Sequence, residues 1–234
     1  MMDIAFPLML STSTVAMMMF IDRLYLQQVS AEAMNACLSG GITSSAFSSF
    51  FTGVIGFSTA LVAQHLGARQ LPTCPRVLTQ TIIFSCLSIP IIFALIPAGR
   101  WLLGTAGLSS EEMLQAQTYL TILMTFNGLN LFRESLSGYF GGLGKTRVVL
   151  LSTLLMGLAN VGANYVLIFG ELGFPAFGIA GAGYGTVFAW FVGLFALCVI
   201  YFRQIQLPEY QLSKSFRLDL GLSLIHISEP TRPY

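Results

Sequence analysis

Residues 77–99 read VLTQTIIFSCLSIPIIFALIPAG, a run without a single Asp, Glu, Lys or Arg. A helix that crosses a hydrocarbon core about 30 Å thick needs about 20 largely apolar residues, and this run is long enough. Outward from it, apolar stretches separated by Gly, Pro and charge predict further helices near residues 5–28, 35–64, 115–141, 148–170 and 177–202. Of the 234 residues, 55% are hydrophobic and only 9% charged, too few for the polar surface of a domain this size in water. The expected fold class is therefore an all-α polytopic membrane protein, a bundle of six transmembrane helices.

Charge checks the segmentation. The connections after the second, fourth and sixth segments hold Arg69, Arg76, Lys145, Arg147, Arg203, Lys214 and Arg217, whereas the opposite side has Arg100 and Arg23. Basic residues favour the cytoplasmic side, so both ends of the chain are expected there. One helix more or fewer would scatter these residues over both sides. The net charge of +1, with no Lys/Arg cluster, gives no footprint for nucleic acid. Cys37, Cys74, Cys86 and Cys198 lack paired spacing or a companion His array, so they read as small packing residues rather than disulfides or a zinc site. The amino terminus lacks the basic region of a cleavable signal peptide, so the first segment is expected to remain in the mature protein.

Within the spans, Pro90 predicts a kink in the third segment, and Pro7 lies near the start of the first. Ser45, Ser49, Thr52, Gly56 and Thr59 repeat at helical spacing and predict a closely packed face of the second segment. Gly178, Gly181, Gly183 and Gly185 open the sixth, with Gly181 and Gly185 forming a small-xxx-small packing pair. The ending SLIHISEPTRPY, residues 223–234, resembles translated read-through of a sequencing adapter and is expected to be foreign to the fold. Residues 1–222 are then one lobe.

An ionisable side chain at the centre of a spanning helix costs about 2.5–3.5 kcal/mol on insertion scales, so each one needs an account. Asp22 and Arg23 lie toward the end of the first segment, and Arg133 and Glu134 well inside the fourth. Asp22 either pairs with a cation of the protein or binds a coupling ion, and the second reading is favoured. A carboxylate facing an internal cavity can exchange a proton or replace water around sodium as the cavity opens to either side. Arg133 either lines that cavity or locks Glu134 or Asp22 in a salt bridge. Asn127, Asn130, Glu134 and Ser137 recur at helical spacing in the fourth segment, and Thr153, Gly157, Asn160 and Asn164 share a face of the fifth. Two polar stripes on neighbouring helices point to a shared wet cavity, although interhelical hydrogen bonding would use the same residues.

Other chemistry fails on spacing. GGLGKTR is no phosphate loop, because Tyr139 occupies the first Gly position and the string ends a spanning helix. Ser58 and His65, seven apart, could face one way as in an intramembrane hydrolase, but no G-x-S-x-G string accompanies them.

PLMLS followed by FIDRLYL, VAQHLGAR, GYFGGLGKTR and above all NVGANYVLIFGELGFPAFGIAGAGYGT together resemble the multidrug and toxin extrusion (MATE) family across residues 5–222. The resemblance implies the N-terminal six-helix lobe of a twelve-helix, two-lobe transporter in a bacterial plasma membrane. It implies export of organic, often cationic or amphipathic, compounds in exchange for protons or sodium. The expected partners are such a substrate, membrane lipid and a C-terminal lobe, with no cofactor beyond the coupling ion. By the same resemblance Asp22 is the acidic first-helix residue of cation coupling, with sodium as its candidate metal. Asn160 and Asn164 match an N-x-x-x-[DN] pattern in the fifth helix. Where relatives carry a second Asp this chain has Asn164, and Glu134 is the candidate to supply the missing acid. Asn127, Asn130, Arg133, Ser137 and Thr153 are then expected to line the substrate cavity. A lipid-linked oligosaccharide flippase of the same superfamily is the alternative, and would be expected to carry more cavity Arg and Lys.

Overall fold

The computed structural model describes residues 2–205, with side chains from 5 to 204. Lys214, Arg217 and the segment 223–234 lie outside the described residues. The chain forms α1 (Met2–Val29), α2 (Ala31–Gly67), a 3-10 turn (Leu71–Thr73), α3 (Cys74–Gly104), α4 (Ser110–Thr125), α5 (Asn127–Gly142), α6 (Thr146–Phe169) and α7 (Ile179–Ile205). Five of these, α1, α2, α3, α6 and α7, are long and apolar enough to cross a membrane.

The sixth pass is α4 and α5 together, and here the structure differs from the single helix expected over 115–141. Each has 16 residues, about 24 Å at 1.5 Å per residue, too short to cross alone. Phe126 separates them with φ −99° and ψ 10°, so the chain loses one turn's regularity without reversing. Its N–H still reaches the Ile122 carbonyl at 3.2 Å, while the Leu129 N–H bonds the Phe126 carbonyl at 3.1 Å in a tightened turn. The two halves share α2, α3 and α7 as neighbours, as one continuous rod would. Gly128 explains the position of the break: a Cβ there would lie 2.9 Å from Ile89 Cδ1 of α3, and glycine is a poor helix former.

Side-chain caps fix the starts of α2 and α4. Ser30 Oγ accepts from the Ala33 N–H at 3.0 Å and starts α2 immediately after α1. At α4, Ser109 Oγ accepts from the Glu112 N–H and Glu112 Oε2 accepts from the Ser109 N–H, both at 3.2 Å, a reciprocal capping box. Ser109→Ala should lower stability by about 1 kcal/mol, read as a lower melting temperature of the purified protein. Pro90 and Pro97 lie inside α3 without ending it.

The buried face of α2 runs through Ala33, Cys37, Gly40, Ser44, Ser48, Phe51, Ile55, Ser58 and Val62. This corrects the expected packing face: Ser45, Ser49 and Gly56 point outward, while Thr52 and Thr59 are half-buried. The hydroxyls tolerate an apolar surround because Ser49 and Thr52 donate to carbonyls of their own helix. Close approach occurs on the adjoining side, where a Cβ on Gly142 of α5 would lie 2.6 Å from the Thr59 carbonyl oxygen. The Gly181 and Gly185 pair does pack tightly, against α6. All four cysteines are free; Cys37 and Cys74 are buried, Cys198 is half-buried, and Cys86 faces outward on α3.

One apolar cluster, including Leu26, Ala36, Ile92, Leu120 and Ile168, and a second, including Val62, Leu78, Phe140 and Leu197, fill the interior. The outside is equally apolar: Trp101, Phe50 and Leu158 are about 70% exposed, as lipid-facing side chains are. Charge collects at the two ends. Arg69, Arg76, Lys145, Arg147 and Arg203 lie at one, where Lys145 Nζ donates to Gln204 Oε1 at 2.9 Å. Glu32, Glu111, Glu112 and Glu171 lie at the other, where Asn35 Nδ2 donates to Glu112 Oε1 at 3.0 Å.

Candidate cation site

Four residues apart on α6, Asn160 and Asn164 face the same way, toward α1. The helices approach closely because α6 carries Gly157, where a Cβ would lie 3.0 Å from Thr14 Cγ2 of α1. Asp22 of α1 is 6% exposed, and both asparagines are fully buried. Asn164 Nδ2 donates to Asp22 Oδ1 at 2.5 Å. Asn160 stands beside the same carboxylate, but neither of its amide atoms achieves hydrogen-bonding geometry. Three amide atoms therefore remain unsatisfied: Asn160 Nδ2 and Oδ1 beside the buried carboxylate, and Asn164 Oδ1, which faces Gly185 of α7. Orphaned polar atoms at this density call for a further occupant. One carboxylate and two amide carbonyls are hard oxygen donors, suited to sodium, and the carboxylate alone accepts a proton. Among the described residues no three His, Cys, Asp or Glu side chains gather as a transition-metal site would require.

A second polar group lies elsewhere. Arg133 of α5 is buried, donates to Asn130 Oδ1 at 3.0 Å and forms an ion pair with Glu134, whose side chain is 38% exposed. Its stem packs on α7, where a Cβ at Gly193 would lie 3.1 Å from Arg133 Cδ. Asn164 packs on the same helix at Gly185, eight residues away, or about 12 Å along the axis. The structure thus brings Asp22, Asn160 and Asn164 together and sets Asn130, Arg133 and Glu134 apart.

The remaining candidates are distributed. Asn127 Nδ2 bonds Ser48 Oγ of α2 at 2.9 Å, leaving its carbonyl without a partner. Thr153 is buried and donates to the Val149 carbonyl of its own helix at 2.9 Å, and Ser137 is half-buried. Ser58 faces Gly138 of α5, and His65 Nδ1 lies 3.1 Å from Gln70 Oε1. Seven helical residues separate these two by about 10 Å of rise, too far for a nucleophile and its base. A cleft of about 290 Å³ opens among Arg100, Gln117, Thr121 and Tyr184, and neither polar group lines it. Residues missed by spacing include Ser85 and Ser135, whose hydroxyls meet at 3.2 Å between α3 and α5, and Ser152, which donates to the Gly193 carbonyl at 3.1 Å. Only the abundance of hydroxyls in apolar helices could have signalled them.

A lobe of spanning helices around one buried, amide-flanked carboxylate can be compared with known proteins. The MatE family model matches residues 7–166. The chain belongs to the MatE family. It is 34% identical over 203 residues to a probable multidrug resistance protein NorM of Halalkalibacterium halodurans, covering 83% of this chain and 43% of that protein. An uncharacterized transporter, YisQ of Bacillus subtilis, is 28% identical over 221 residues, covering 92% of this chain and 48% of that one. Among solved structures, the outward-facing conformation of a multidrug resistance MATE family transporter of the MOP superfamily superposes with a TM-score of 0.80. That match has 20% sequence identity and covers 96% of this chain and 49% of the other. A MATE in complex with MaL6 gives a TM-score of 0.83 at 19% identity, with coverage of 96% and 49%. At these identities the structural matches speak for the fold. The chain spans about half the length of these relatives, and its six passes form one lobe of the two-lobe MatE architecture.

Proposed function

We propose that this lobe, joined to a second six-helix lobe, forms an antiporter that exports organic, often cationic or amphipathic, compounds in exchange for protons or sodium. The observation that carries the reading is the Asp22 carboxylate, buried against Asn164 with the unsatisfied Asn160 amide beside it. A buried charge is costly unless neutralised. A proton or sodium ion at Asp22 removes that cost, and an organic cation entering the same cavity competes for it. Loading and unloading then bias the lobe between two packings. The multidrug resistance names of the relatives support the substrate class. The basic end belongs in the cytoplasm of a bacterial cell and the acidic end outside, by the usual charge bias.

Glu134 contributes by balancing Arg133, and with Asn127, Asn130, Ser137 and Thr153 this group belongs to the walls of the substrate path. Glu134→Gln would leave Arg133 without its ionic partner, a loss of about 1–3 kcal/mol. The expected result is a lower yield of folded protein with coupling intact in what remains; full yield with coupling lost would move Glu134 into the cation site. The neutralised Arg133 also argues against a flippase for lipid-linked phosphate, which needs unpaired cavity cations. The test is reconstitution of the whole protein in vesicles. An imposed sodium or proton gradient should drive ethidium flux, and flux indifferent to both gradients would overturn the reading.

A further inference from the structure

The Asn164 side chain has a donor end and an acceptor end, and they face different helices. Nδ2 donates to Asp22 Oδ1 at 2.5 Å, while Oδ1 is buried against α7 with no hydrogen-bond donor. What admits that oxygen is Gly185: a Cβ at this position would lie 1.8 Å from Asn164 Oδ1 and 2.9 Å from Cγ. No ordinary contact is that short, so any side chain at 185 would expel the amide from its niche. Gly183, two residues earlier, faces a different neighbour, since its Cβ would meet the Ile122 side chain at 3.1 Å.

The orientation of the amide suits the charged, unoccupied carboxylate best. A charged carboxylate is purely an acceptor, so the NH2 end belongs against it. When Asp22 carries a proton it becomes a donor, and a sodium ion held by Asp22 seeks oxygen ligands. The sodium-loaded state therefore calls for the carbonyl end of Asn164 toward Asp22, and the protonated state gains a donor that the same end can accept. We infer that Gly185 is a positioning residue whose missing side chain lets the Asn164 amide turn over, NH2 toward Asp22 when the site is empty and C=O toward it when loaded. The turn is a half rotation about the terminal side-chain torsion, and the two ends of an amide are nearly the same size. The Gly185 niche receives whichever end faces away. In this way the contact between α6 and α7 reads the occupancy of a site between α6 and α1.

This inference rests on Asp22 binding the coupling cation, and the experiment separates the two. In the full-length protein labelled with 15N-asparagine in lipid, the Asn164 side-chain resonance is assigned by its loss in Asn164→Ser. It should shift on passing from cation-free alkaline buffer to saturating sodium or to low pH, and an unchanged resonance would overturn the inference. Gly185→Ala should raise the half-saturating cation concentration for transport about tenfold or more, while Gly183→Ala should leave it unchanged. A folded Gly185→Ala protein with wild-type cation dependence would also overturn it. If Gly185→Ala fails to fold, the wild-type resonance alone decides. Coupled export surviving in Asp22→Asn would instead remove the reading on which the inference stands.

Discussion

Asp22→Asn in the full-length protein should abolish cation-coupled export, lowering drug efflux by roughly tenfold or more, while leaving the amount of protein in the membrane unchanged. The two halves of that result come from different properties of the site. Asparagine keeps the shape of aspartate and still offers an oxygen to Asn164 Nδ2, which bonds Asp22 Oδ1 at 2.5 Å, so the packing of α1 on α6 survives. It cannot bind a proton at ordinary pH or supply net charge to sodium. Loss of both efflux and membrane level would point to a structural role for the carboxylate. The measurement is resistance of cells to organic cations, normalised to protein detected in the membrane.

Gly181→Val should have the largest effect on folding. A Cβ there would lie 2.4 Å from the Leu167 carbonyl oxygen and 2.6 Å from its carbon, backbone atoms of α6 that cannot step aside. The added side chain must push α7 off α6, at a cost of about 3 kcal/mol by the usual scale of overpacking. Gly53→Val is the matching case without the clash, since no atom lies within 4 Å of its added Cβ, and it should change stability by less than about 0.5 kcal/mol. Yields of monodisperse protein in detergent, compared for the two variants, check the contrast.

Much of this arrangement was legible in the sequence because lipid imposes strict terms on composition. Six passes followed from apolar run lengths, with α4 and α5 in place of one of the expected helices. Asp22 stood out as an acid in an apolar helix, and Asn160 and Asn164 as amides four apart. The break at Phe126 was not legible, because it takes one residue to make and depends on Gly128 meeting Ile89 of another helix. The packed side of α2 was misread because small and hydroxyl residues occur on both of its sides, so spacing alone does not select the buried one. The distance from Glu134 to Asp22 was hidden for a related reason. Helical periodicity says which residues share a face, but how far along its axis one helix sits against the next is decided by contacts such as Gly193 on Arg133 and Gly185 on Asn164. Gly185 itself read as packing; that it shapes the niche of a site residue emerges only with α6 beside it.

The central claim is that the coupling cation and the organic substrate compete through Asp22. It is tested most directly by following ion release when substrate binds to the purified full-length protein. Adding an organic cation should release protons or sodium from the wild type and none from Asp22→Asn. Release of the same size from both proteins would contradict the account.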